Sequence, residues 1–162
     1  MPMVSTMESK DLRDAQLLAE RAEVAPWLDY PASPWWYAPA GGAWFGALVA
    51  ASADGGEQRS PAFTFVLFAL AAGFFWWARR RWGTWPRMSS MPPEFHRPAT
   101  TFAVAVVILF IGGMGLAASA GDIVAVPIVA VTVAALLRWY DHAYAEASER
   151  AAVRLGTTSR AR

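Results

Sequence analysis

The sequence predicts an all-α integral membrane protein, with four helices crossing the bilayer as a compact bundle. Three observations predict it: four apolar stretches at 36–53, 62–78, 99–120 and 123–140, basic charge that alternates between the segments flanking them, and Trp and Tyr gathered at one set of boundaries. A helix rises about 1.5 Å per residue and needs about 20 mainly apolar residues to cross about 30 Å of hydrocarbon. All four stretches meet that requirement, the second and fourth near its lower limit. A soluble helix would show a polar face every turn, whereas residues 99–116 carry no charged side chain and 104–111 is an unbroken apolar run.

The first segment, 1–35, is polar and charged. Ser5 and Glu8 have capping-box spacing, which predicts a helix from about Thr6 to Ala25 that Pro26 stops. Leu12, Ala15, Ala19 and Ala22 line one face, and Leu17, Leu18 and Val24 broaden it. The helix is only modestly amphipathic and its polar face is not basic, so docking on the bundle or a partner is favoured over membrane binding. Pro26, Pro31, Pro34 and Pro39 then interleave with Trp27, Tyr30, Trp35, Trp36 and Tyr37. Proline discourages helix and the rings favour the interface, so this connector reads as an extended strap skimming the membrane. With no apolar stretch before residue 36, the first span is expected to serve as its own insertion signal.

The membrane domain is expected to occupy 36–140. Of the 14 Lys and Arg residues, Lys10, Arg13 and Arg21 precede the first span; Arg79, Arg80, Arg81, Arg87 and Arg97 separate the second and third; and Arg138, Arg150, Arg154, Arg160 and Arg162 mark the end of the fourth. Only Arg59 lies between the first two spans, beside Asp54 and Glu57, and only Asp122 between the last two. Basic residues resist translocation, so both termini and the Arg-rich loop are expected in the cytoplasm. Trp76, Trp77, Trp82, Trp85, Trp139 and Tyr140 fall at those same inner boundaries, as amphipathic rings at headgroup level should. Trp44, mid-span, reads as bulk.

Small residues supply a packing code. Gly42, Gly46 and Ala50 recur every four residues in the first span, and Gly113 with Ala117 and Gly115 with Ser119 repeat the spacing in the third. Such spacing lets helix backbones approach closely in lipid, and the simplest account packs the first span on the third. Asp122, just before the fourth span, is positioned to cap its first turn. The fourth span is expected to run on as one helix to about Leu155, within a cytoplasmic helical extension and basic tail at 141–162, with Tyr140, Tyr144, Ala147, Ala151 and Leu155 on one stripe and Gly156 ending it.

Chemistry is sparse. There is no Cys, which excludes disulfides and thiol catalysis. No span carries an ionisable group in its central portion, which disfavours a proton-coupled carrier. His96 and His142 lack metal-ligand spacing, and no nucleophile triad or phosphate loop is present. No catalytic, cofactor or metal site is therefore predicted. Arg79, Arg80, Arg81 and Arg87 form a candidate contact for anionic lipid of the inner leaflet; a net charge of only +1 argues against nucleic acid. The expected function is a non-catalytic accessory, scaffold or assembly subunit acting through its cytoplasmic helices, with a membrane-protein partner or a second copy of itself. A passive channel or small carrier formed by oligomerisation is the alternative, and a lipid-headgroup enzyme a third. Arg and Ala enrichment points to a high-GC genome and hence a bacterial inner membrane.

Overall fold

The computed structural model describes residues 3–53, 61–82 and 91–156. These form five helices with no strand among them: α1 (Met3–Leu28), α2 (Tyr37–Ala53), α3 (Pro61–Trp82), α4 (Pro93–Ala120) and α5 (Asp122–Arg154). Arg59, Arg87, Arg160 and Arg162 lie outside the described residues, as do Asp54, Glu57 and Trp85. Three helices, α3, α4 and α5, are long and apolar enough to cross a membrane. At 17 residues, α2 is about 25 Å long and falls just short by length alone.

The helix boundaries follow local chemistry with two departures. Pro93 opens α4 at the first helical position, where a missing N–H costs nothing, so this helix starts six residues before the apolar stretch. Gly156, at φ 62°, follows the end of α5 as expected. The predicted cap at Ser5 is wrong, because the helix has already begun at Met3. Pro26 does not stop α1 either, since the helix continues to Leu28. A proline three residues from a helix end removes one hydrogen bond, and the buried Trp27 holds the last turn in place by packing.

The helices run up and down, with α5 as the central element. The principal pairing is α2 on α5, and α4 packs beside both. The expected packing of the first span on the third is present at Val49 and Gly113 but secondary, and the partner expected for Gly42 and Gly46 is corrected: they face α5. A Cβ at Gly42 would collide with the carbonyl oxygen of Ala130, and one at Gly46 would sit 3.0 Å from that of Val126. Gly113 brings α4 in, since its Cβ would lie 2.8 Å from Val129 and 3.3 Å from Val49. Around these contacts Val49, Ala117, Ala125, Val129 and Val133 form a buried core, flanked by Phe45, Leu109 and Phe110. Gly115 and Ser119 are exposed on the opposite face of α4, with open space at Gly115.

Among the described residues helix α3 is peripheral and packs mainly on α2. Trp44 is a peg, not bulk: its Nε1 donates to the Leu67 carbonyl at 3.1 Å. Farther along, Phe74 meets Trp36 and Tyr37 at 6.3 and 6.0 Å.

Gly42 and Gly115 therefore make a matched pair for mutation. Gly42→Leu should destabilise the detergent-solubilised protein by roughly 1–3 kcal/mol or prevent its folding, because the obstructing atom is backbone. Gly115→Leu should leave the melting temperature unchanged or raise it, as a helix-favouring residue on an open face. Equal melting of the two variants would remove the proposed role of Gly42.

Candidate functional site

The start of α2, the start of α4 and the last parts of α3 and α5 meet at one end of the bundle, the basic end. Three groupings of chemistry lie there. The first is a junction in which α1 is attached to the rest of the chain. Val24, Trp27, Phe95, Ala147, Ala151 and Leu155 form a second buried core, with Leu28, Met91 and Tyr144 packed around it. The small stripe on α5 thus receives the end of α1 and the beginning of α4. Trp27 and Phe95 lie 5.2 Å apart, centroid to centroid, and Tyr144 Oη donates to the Trp27 carbonyl at 2.7 Å.

Charge closes this junction. Arg21 donates from Nε and Nη2 to the Leu155 carbonyl at 3.2 and 2.9 Å, which places a cation on the negative end of α5. Arg154 donates from Nε to Glu94 Oε1 at 2.6 Å and from Nη1 to Glu20 Oε1, joining three helices. Both ion pairs are partly exposed, so each is worth little alone. Trp27 Nε1 and Glu94 Oε2 are buried without a hydrogen-bond partner. Apolar packing is therefore the main attachment. The exposed Glu146–Arg150 pair, at 3.9 Å, adds almost nothing.

Beyond this junction α1 stands clear. Every residue from 10 to 19 is exposed, including Leu12 at 62%, Leu17 at 46% and Leu18 at 64%. The expected docking of this helix holds only for its last third.

A second grouping surrounds Asp141, just past the apolar portion of α5. Ser33 Oγ, from the connector after α1, donates to Asp141 Oδ1 at 2.8 Å. Tyr30, Tyr37 and Tyr140 all feel the charge of Asp141. Burial first, and then Tyr37, Tyr140 and Asp141, push the Tyr30 phenol above its ordinary value.

The third grouping is the last turn of α3. Arg79, Arg80 and Arg81 are exposed there, and the Arg80 guanidinium lies 5.6 Å from the centroid of the Trp76 ring. A cation over an exposed indole at a helix end suits the headgroup layer. Arg87, the fourth member of that expected cluster, lies outside the described residues.

The remaining predicted sites are scattered. Asp122 is the first helical residue of α5 and not its cap, because Gly121, at φ 81°, occupies the cap position. An L side chain rarely adopts that φ, so the cap falls on glycine, and Asp122 lies in the first turn, where a negative charge is favourable. His96 and His142 are exposed, and among the described residues no group of His, Asp and Glu could hold a metal ion. Ala50 is half-buried on α2 and Ala117 buried on α4.

Ser33 with Asp141, and Glu20 and Glu94 with Arg154, escaped the sequence reading. Their members are 108, 134 and 60 residues apart, and no local spacing marks such pairs. The available signal is that every Tyr lies on the Arg-rich side of the apolar stretches. Comparison with protein-family models, curated proteins and solved structures finds no match to this chain.

The Glu94–Arg154 contact has a defined acid dependence. Burial raises the Glu94 pKa, but its own backbone amide and Arg154 lower it more, and the net shift is downward. A carboxyl lowered in the folded state stabilises fully above its unfolded pKa, about 4.3, and loses that contribution as pH falls through the lower folded value. Amide exchange at Val24 and Leu28 should therefore be constant in protection from pH 5 to 8 and lose protection below about pH 4. Glu94→Gln should flatten that acid limb; an unchanged limb would assign it to another group.

Proposed function

We propose that this chain is a non-catalytic accessory, scaffold or assembly subunit of a bacterial inner membrane, with four spans and both termini in the cytoplasm. In this reading α1 is an arm that engages a membrane-protein partner. The observation that carries it is the division of α1: its last third is packed against α4 and α5, while residues 10–19 hold three leucines and mixed charge with no intramolecular contact to bury them. We read these exposed leucines, on a helix outside the apolar spans, as part of a protein-contact surface.

Helix α2 is read as a span because it lies along α5 through Gly42, Gly46 and Val49, at the same depth as helices that are long enough. The basic residues at the ends of α3 and α5 support a cytoplasmic assignment for that end. Arg79, Arg80 and Arg81 are read as anchors on anionic lipid, each contributing about 1 kcal/mol near an acidic leaflet. No ionisable side chain lies in the central portions of the apolar stretches, which supports a contact role over transport.

The test is deletion of residues 1–19, which leaves Glu20, Arg21, Val24 and Trp27 in place. The truncated chain should insert and melt like the full chain, yet lose the proteins that copurify with it after gentle detergent extraction. Retention of the same partners would reject α1 as the engaging element.

A further inference from the structure

The chain contains four tyrosines; three of them, Tyr30, Tyr37 and Tyr140, lie close enough to one carboxylate, Asp141, to feel its charge, and Tyr144 packs against the rings of Tyr30 and Tyr140. Tyr30 comes from the connector after α1, Tyr37 from the first turn of α2, and Tyr140 and Tyr144 from adjacent turns of α5. Tyr144 lies 5.9 Å from Tyr30 and 6.2 Å from Tyr140, centroid to centroid. Phe102 backs Tyr140 at 4.6 Å and Phe95 backs Tyr144 at 4.8 Å. Asp141 belongs to this wall of rings, with Oδ1 accepting from Ser33. The four tyrosines, Ser33 and Asp141 are all half-buried, so this cup of side chains is partly walled by protein and still reaches solvent.

Its charge is unbalanced. Among the described residues no Lys or Arg lies within ion-pair distance of Asp141, and Arg138, one turn earlier, is exposed. A half-buried carboxylate whose hydrogen-bond donor is a neutral hydroxyl lacks a counter-charge, and binding a cation offsets that cost. Aromatic rings beside the carboxylate add to this, since a ring face attracts a cation and not an anion. A hard divalent ion takes six to eight oxygen ligands, usually several of them carboxylate, and only one carboxylate is present. A diffuse organic cation matches a single carboxylate ringed by phenols.

We infer that the Asp141 cup binds an organic ammonium group, carried by an aminolipid headgroup or by a soluble amine. The lipid source rests on the reading that the basic end meets headgroups, since Asp141 directly follows the apolar portion of α5. The shared chemistry does not depend on that reading.

Two arms of one experiment separate the sources, using the full chain. In the first, the protein is released from nanodiscs of phosphatidylglycerol with and without phosphatidylethanolamine, and retained lipid is counted by native mass spectrometry. In the second, the protein in an uncharged maltoside micelle is titrated with tetramethylammonium and followed by its intrinsic ultraviolet emission. Asp141→Asn preserves shape and the Ser33 acceptor but removes the charge, so a purely structural clamp would survive it. That variant should bind ammonium at least about tenfold more weakly in the arm where wild type binds, with phosphatidylglycerol retention unchanged. Tyr140→Phe should bind like wild type and Tyr140→Leu should bind more weakly, which tests the ring independently of Asp141. Binding in the lipid arm alone assigns a headgroup site, and binding in the micelle assigns a site for amines in general. Wild-type binding in neither arm, or equal binding by Asp141→Asn, overturns the inference. Neither result bears on partner loss after deletion of residues 1–19, so the two readings fail separately.

Discussion

Everything at the basic end depends on the backbone of α2 lying directly against the backbone of α5. Lipid tails are as apolar as leucine, so helices in a bilayer are not driven together by water and associate through close packing. Gly42 and Gly46 permit this by leaving the carbonyls of Ala130 and Val126 uncovered by any side chain. The first consequence is the position of Tyr37, which begins α2 and is carried by that contact to Tyr140 and Asp141. The second is the seat for α4, because Gly113 fits over Val129 and Val49 only when those two are side by side.

Helix α5 then carries two separate cores. Its 33 residues extend about 50 Å, well beyond a bilayer's hydrocarbon thickness. The first part contributes Ala125, Val129 and Val133 to the core with α2 and α4. The last part contributes Ala147, Ala151 and Leu155 to the junction with α1 and the start of α4. Between them lies the belt of Tyr30, Tyr37, Tyr140 and Asp141, where the environment passes from apolar to polar. In the junction, burial of Trp27, Phe95 and Leu155 outweighs the ion pairs of Arg154, whose partly exposed partners are screened by solvent. Helix α1 is thus fixed by its last third, while residues 10–19 stand exposed.

The helical class was legible in the sequence because long apolar runs and charge punctuation are local properties. So was the end of α5 at Gly156, whose positive φ favours glycine. Legibility ended where distance in the chain took over. The four-residue spacing of Gly42 and Gly46 marks a close contact but does not say with which helix, and their partner is α5 and not the expected α4. The same spacing at Gly115 and Ser119 met nothing, since a small-residue pattern does not reveal which face it lies on. Trp44 looked like filler because its acceptor, the Leu67 carbonyl, is a backbone atom that no sequence pattern displays. Pro26 was read as a terminator on propensity alone, and tertiary packing of Trp27 overrode it. The pairing of Ser33 with Asp141 left no trace in either segment.

The central claim is that α2 crosses the bilayer beside α5, so that four spans place the basic end and both termini on the inner side. Because the chain has no Cys, single cysteines at Thr6, Gln58, Ser89 and Thr157 can be probed with an impermeant thiol reagent in intact cells. The account predicts labelling at Gln58 and protection at the other three until the membrane is permeabilised. Labelling at Thr6 together with Gln58, with Ser89 and Thr157 still protected, would contradict it, leaving α2 outside the bilayer and the bundle with three spans.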